Sequence, residues 1–164
     1  MNKALLKIPL GEGQIANFRY PDLRDVQLDG AVLKGGNFCG ANLTRANLSG
    51  GNFCGADFSY SILFDTNLSG ADLSGADFSK ARAWCANFSG ANLSFAKFSG
   101  ADLRDVQLDG AVLKGGNFCG ADLGSADMRT KLDGVDFSDA IIDENTRFDI
   151  DRLTAKQRKQ LGIS

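Results

Sequence analysis

Residues 66–100 read TNLSG ADLSG ADFSK ARAWC ANFSG ANLSF AKFSG when cut every five positions. The first residue of each block is small, the second is mostly polar with Asn or Asp prominent, and the third is apolar. Carried outward, the same cut runs unbroken through residues 16–130. It gives 23 blocks whose third residue is Leu, Phe or Met in 22, with Ala83 the exception. A period of five fits neither regular element. An α-helix advances about 100° per residue, so apolar groups at every fifth position would spiral around it. In a flat strand, residues i and i+5 point to opposite faces. The pattern is that of a solenoid, in which each short unit buries its apolar face only by stacking on a neighbour.

A second period sets the shape of one coil. Phe18, Phe38, Phe58, Phe78, Phe98 and Phe118 recur every twenty residues, all at the third position. Twenty residues are four blocks, so the coil has four sides and the Phe side chains line one interior wall. The remaining walls are Leu23, Leu43, Leu63, Ala83, Leu103, Leu123; Leu28, Leu48, Leu68, Phe88, Leu108, Met128; and Leu33, Phe53, Leu73, Leu93, Leu113. Segments 22–41 and 102–121 are the same twenty-residue string, DLRDVQLDGAVLKGGNFCGA, so the copied unit has the length of one coil. The third residue points inward and carries the core. The first points inward at a corner and must be small. The second bonds nearby backbone through its short side chain. The fourth and fifth face outward, with Gly frequent at the fifth, where the chain turns. Coils spaced like hydrogen-bonded strands, roughly 4.8 Å apart, give a shaft on the order of 28 Å long. Burial of the large third-position side chains, roughly 1.5–3 kcal/mol each, offsets much of the cost of ordering the chain.

The blocks ANLSG, ADLSG, ADFSK and ANFSG resemble the A(D/N)LXX motif of the pentapeptide-repeat family. The resemblance implies an all-β, right-handed quadrilateral parallel β-helix of about six coils. It also implies a family frequent in cyanobacteria, mostly without known activity. A few members are partner-binding proteins, including DNA mimics that protect topoisomerases.

The chain divides into an N-terminal cap (1–15), the repeat shaft (16–130), an irregular final coil (131–150) and a helical cap (151–164). Between Met128 and Phe137 the spacing is nine residues, which places a missing residue around 131–134. The tail IDRLTAKQRKQLGIS predicts a short helix with Thr154 as N-cap, Gln157 completing a capping box and Gly162 as the stop. It covers the open end of the stack, or alternatively makes a dimer contact. In the coil 78–97, Phe78 and Phe88 stand on opposite walls, and Ala83 keeps the volume constant. A local slip that turns Trp84 inward is the alternative.

Composition narrows function. The 164 residues carry 18 Lys plus Arg against 20 Asp plus Glu, for a net charge of −2, and no His. The near-balance argues against direct nucleic-acid binding. The lack of His removes the commonest metal ligand and neutral-pH proton shuttle. Cys39, Cys54, Cys85 and Cys119 contain no CxxC pair. Free thiols in a reducing compartment are expected, with a single disulfide as the alternative. The apolar stretch at 4–10 is interrupted by Lys7 and Pro9, too short for a signal-peptide core, so a cytoplasmic location is expected, with no membrane contact. Pairs such as Asp22 and Asp102, or Asp72 and Asp77, read as turn residues rather than acid/base pairs. A plugged interior offers no pocket. Neither an enzyme nor a small-molecule substrate, cofactor or metal is expected.

Function then falls to the outside. Fourth-position residues on the Leu23 wall run Arg24, Thr44, Phe64, Trp84, Arg104, Gly124. With Tyr60 and Ile62, Phe64 and Trp84 form a candidate partner-binding patch on a Ser- and Gly-rich exterior. The alternative is that the aromatics only pack on each other. The expected role is a non-catalytic structural or protein-interaction module, a monomer or a weak dimer through its C-terminal end. A DNA-mimic, topoisomerase-interacting role is the second reading. It lacks a continuous acidic face, since Asp25, Arg45, Asp65, Cys85, Asp105 and Ser125 alternate along one edge.

Overall fold

Each five-residue block satisfies its backbone groups in one repeated way. The computed structural model describes residues 15–163. Second-position residues form parallel bridges to the residue one coil on: Asn17 to Asn37, Asp22 to Asn42, Gln27 to Asn47, Val32 to Asn52. The third N–H donates to a second-position carbonyl one coil ahead, as from Phe38 to Asp57 at 2.7 Å. The second donates one coil back, as from Asn37 to the Ala16 carbonyl at 2.8 Å. The fifth donates forward, from Gly40 to Ser59 at 2.9 Å, and the first closes the corner, from Ala41 to Phe38 at 2.9 Å. Only the fourth N–H lacks a backbone partner, and the second-position side chain supplies one. Asn37 Oδ1 accepts from the Cys39 N–H at 3.0 Å, and Asp57 Oδ1 from that of Ser59 at 2.9 Å. Asn and Asp recur at the second position because their reach closes this account.

The fifth residue sits in the left-handed region at every complete corner of the shaft, from Tyr20 (φ 60°) to Ser125 (φ 59°). With the third carbonyl bonded to the next first N–H, these corners are type II turns. They turn the chain through four walls per coil, which we letter A to D after Phe18, Leu23, Leu28 and Leu33. The fold is the right-handed quadrilateral β-helix.

Its lumen is full. The wall A rings stack at centroid distances of 5.0, 4.8, 4.9, 4.9 and 4.8 Å from Phe18 through Phe118. Phe137 continues the file, tilted, at 5.7 Å. Phe53 and Phe88 enter from walls D and C and meet that file edge-on, Phe88 at 5.6 Å from Phe78 with the planes at 90°. Ala83 is fully buried on wall B, between the walls that carry Phe78 and Phe88. Trp84 points outward, and the slip alternative falls.

The C-terminal coil departs from the expected site of the missing residue. Lys131 pairs with Val112, an offset already shortened to nineteen, and Leu132 is buried as a third-position residue. The block is therefore TKLDG, beginning at Thr130. The residue is lost from the turn at 129–130, not from 131–134. Thr130 is small enough for the corner, its N–H reaches back to the Met128 carbonyl at 2.8 Å, and its hydroxyl donates to the Ala111 carbonyl at 2.8 Å. An extra residue at 143–145 restores the phase, so β1 (Asp127–Met128) pairs in parallel with β2 (Arg147–Phe148) at offset twenty. The Asp143 carboxylate ties this loop down. It accepts from the N–H groups of Ser125, Asn145 and Thr146, which hold its carboxyl at about 2.

A 3-10 turn (Ile150–Arg152) leads to α1 (Ala155–Leu161), which has both halves of the Thr154/Gln157 capping box and Gly162 at φ 66°. The helix closes the end of the stack. Gln157 is 3% exposed and donates its amide to the Leu132 carbonyl at 2.7 Å. Gln160 accepts from the Phe137 N–H and donates to Ser138 Oγ. Residues 1–14 of the expected N-terminal cap lie outside the described residues.

Candidate functional site

Wall B departs from the repeat's chemistry at two consecutive coils. Its second positions are Ile62 and Arg82 where Asn or Asp closes the turn in the other coils of this wall, and its fourth positions are Phe64 and Trp84 where Ser is common in the repeat. Neither Ile62 nor Arg82 can supply the acceptor that an Asx side chain gives to the fourth N–H. Since 62 and 82 bridge each other, and 64 and 84 occupy the same place in successive coils, the departures stack.

The result is a fixed cluster. The Phe64 and Trp84 rings meet edge to face, centroids 6.2 Å apart and planes at 82°. The Arg82 guanidinium lies 4.7 Å from the Phe64 centroid, a cation–π contact on the outer side. Trp84 Nε1 donates to Asp105 Oδ2 at 2.8 Å, which fixes the indole from the next coil. Phe64 and Ile62 are half-buried and Trp84 remains 46% exposed. Tyr60 is 64% exposed on the preceding corner, beside the ladder rather than within the ring contact. Of the four candidates, the fold joins Phe64 and Trp84 directly and puts Ile62 and Tyr60 on the same side.

Charges around the cluster are sorted by place. Lys80 and Arg82 flank it toward wall A, while Asp65, Cys85 and Asp105 follow on the next corner. Asp102, next to Arg82 in the ladder, is engaged elsewhere: Arg104 bonds it at 2.8 and 2.7 Å and draws its carboxyl below the usual range. Further down, Arg45 grips Asp25 at 2.8 and 2.9 Å and lowers that carboxyl too. Burial, with Asp105 and Asp65 nearby, pushes the Cys85 thiol up, away from the reactive thiolate. All four cysteines are half-buried free thiols. Among the described residues no group of His, Cys, Asp or Glu is placed to hold a metal, and no helix is long and apolar enough to cross a membrane.

Two partners of the cluster, Arg82 and Asp105, are not legible from the sequence as contacts, because both act across coils through side-chain rotamers. Two exposed aromatics lie outside the cluster, Tyr20 at 65% and Phe95 at 62%, the latter at the corner between walls D and A. The signal for Phe95 is the block ANLSF, with Phe at a fifth position; its ring lies over Gly115, where a Cβ would stand 2.7 Å from it.

The sequence matches pentapeptide repeats, in eight copies, over residues 22–59, 61–83 and 86–124, more than half of the chain. No curated protein matches it. Among solved structures, it is similar to a trypsin-treated variant of QnrB1, a plasmid-mediated fluoroquinolone resistance protein. That match has 20% identity and a TM-score of 0.53 and covers 89% of this chain and 83% of that one. It is also similar to Rfr23, a pentapeptide repeat protein of the cyanobacterium Cyanothece 51142, with 23% identity, TM-score 0.39 and coverage of 82% and 88%. A pentapeptide repeat protein of the Arabidopsis thaliana thylakoid lumen shares 30% identity, with TM-score 0.30 and coverage of 78% and 72%. With the repeat covering most of its length and the four-walled coil it prescribes, the chain belongs to the pentapeptide-repeat family.

Proposed function

We propose that the chain is a non-catalytic interaction module, a rigid shaft (16–130) closed at its C-terminal end by α1, that holds a protein partner on wall B through Tyr60, Ile62, Phe64 and Trp84. The observation that carries this reading is the Phe64–Trp84 pair, fixed from one side by Arg82 and from the other by Asp105 while Trp84 stays open to solvent. Aromatic anchors held rigid before binding lose little entropy when a partner arrives. A filled lumen supports a role without catalysis, and four free thiols support work in a reducing, cytoplasmic setting. The molecule acts as a monomer or as a weak dimer through its C-terminal end.

Charge mimicry of DNA is disfavoured by the pairing of Asp25 with Arg45 and of Asp102 with Arg104. These pairs break the acidic edge that such a role needs. The test is affinity capture with the native chain and with Phe64→Ser/Trp84→Ser. The native chain retains a specific protein that the double variant releases while melting at nearly the same temperature. Equal retention by both removes the patch, and protection of a topoisomerase in a supercoiling assay revives the mimic.

A further inference from the structure

Resting on the wall B reading, we infer that the partner docks through an extended acidic segment, an Asp or Glu side chain beside an apolar one, with the carboxylate on Arg82 and the apolar group on Trp84. The inference comes from the arginines. Arg24, Arg45, Arg104 and Arg129 each bind an aspartate of this chain through both Nε and a terminal nitrogen. Arg82 does not. Its guanidinium is held against Phe64 at 4.7 Å, and among the described residues no acceptor meets its donors.

A guanidinium seated on a ring spends none of its N–H donors on that contact and keeps them free for a carboxylate. The nearest acid in the ladder, Asp102, accepts its hydrogen bonds from Arg104 and meets Arg82 through charge alone, with no hydrogen bond between them. Lys80, exposed on the neighbouring corner and outside every ion pair among the described residues, adds a second cation on the same side. Asp65 and Asp105 stand on the opposite side of the aromatic pair. The surface therefore runs cationic, aromatic, anionic across one wall, and a segment lying along the coil has one favourable direction.

The test uses the full chain and an array of random dodecapeptides, read again in solution through the emission of Trp84, the only tryptophan. Bound peptides are expected to be enriched in Asp or Glu next to an apolar residue. Arg82→Gln should weaken the selected peptides about tenfold, the loss of one charge-assisted contact. Arg82→Lys restores only part, and Lys80→Gln weakens them less. Absence of binding, selection without acidic preference, or an unchanged set with Arg82→Gln overturns the inference. So does concentration-dependent self-association that Arg82→Gln abolishes, which would make a second copy the occupant. If Phe64→Ser/Trp84→Ser releases the captured protein while peptides show no acidic preference, the patch stands and this inference alone fails.

Discussion

At the first position of the blocks GNFCG, glycine serves space rather than conformation. A Cβ built on Gly51 would lie 2.3 Å from Phe53 Cε2 and 3.1 Å from the Ala31 carbonyl oxygen, both within the packed wall. Gly51→Ala is therefore expected to cost about 1–3 kcal/mol, the usual penalty for overpacking, in chemical denaturation. An unchanged midpoint would contradict it. The same logic is expected at Ala83, fully buried on the wall between those of Phe78 and Phe88, whose rings meet at 5.6 Å. Ala83→Leu should cost about 1–3 kcal/mol alone and much less in combination with Phe88→Leu, so the double-mutant cycle should show strong coupling. Additive effects would mean that the two side chains do not share a volume. The third-position column was legible because it is strictly periodic, and Ala83 stood out as its single break. The tight fit at Gly51 was not, since smallness at the first position says nothing of which ring fills the corner. Nor was the Trp84–Asp105 bond, which joins positions 21 apart.

At the scale of the element, the C-terminal helix was readable because a capping box is a local code, Thr154 and Gln157 three residues apart. What that code does not contain is the second use of Gln157. Its amide nitrogen donates to the Leu132 carbonyl, with a longer contact to that of Val135, while its carbonyl receives the Thr154 N–H at 3.0 Å. Gln157→Leu should keep the bulk of the side chain, lose its half of the capping box and leave those carbonyls unanswered. The expected cost is about 1–3 kcal/mol together with a fall in helical circular dichroism. Retained helicity at native stability would show that the helix docks by its apolar Leu153 and Leu161 alone. The shortened turn was misplaced in the sequence for a simple reason. Counting blocks from Lys131 hides that Thr130 can itself take the small first position.

Across the whole molecule, stability comes from one file of stacked rings and three mainly aliphatic walls that Phe53 and Phe88 interrupt, with charge confined to the outside. Asp22, bonded by Arg24, and Asp143, bonded by the Ser125 and neighbouring N–H groups, have carboxyls lowered to about 2. Asp25 and Asp102 are lowered by Arg45 and Arg104. A carboxyl depressed in the folded state stabilises it above the unfolded value and loses that contribution as pH falls through the folded one. With no His to titrate, the melting temperature should stay level from about pH 5 to 7 and drop between about pH 4 and 2. A marked fall between pH 7 and 5 would contradict this assignment.

The proposed division of labour assigns stability to the lumen and partner binding to wall B. Melting temperature and partner affinity measured together on Leu68→Ala and on Phe64→Ser/Trp84→Ser test it. Leu68→Ala should lose about 2–5 kcal/mol of stability and bind the partner unchanged at a temperature where it is folded. The surface variant should keep its stability within about 1 kcal/mol and lose the partner. A lumen variant that releases the partner while folded, or a surface variant that still holds it, would contradict the account.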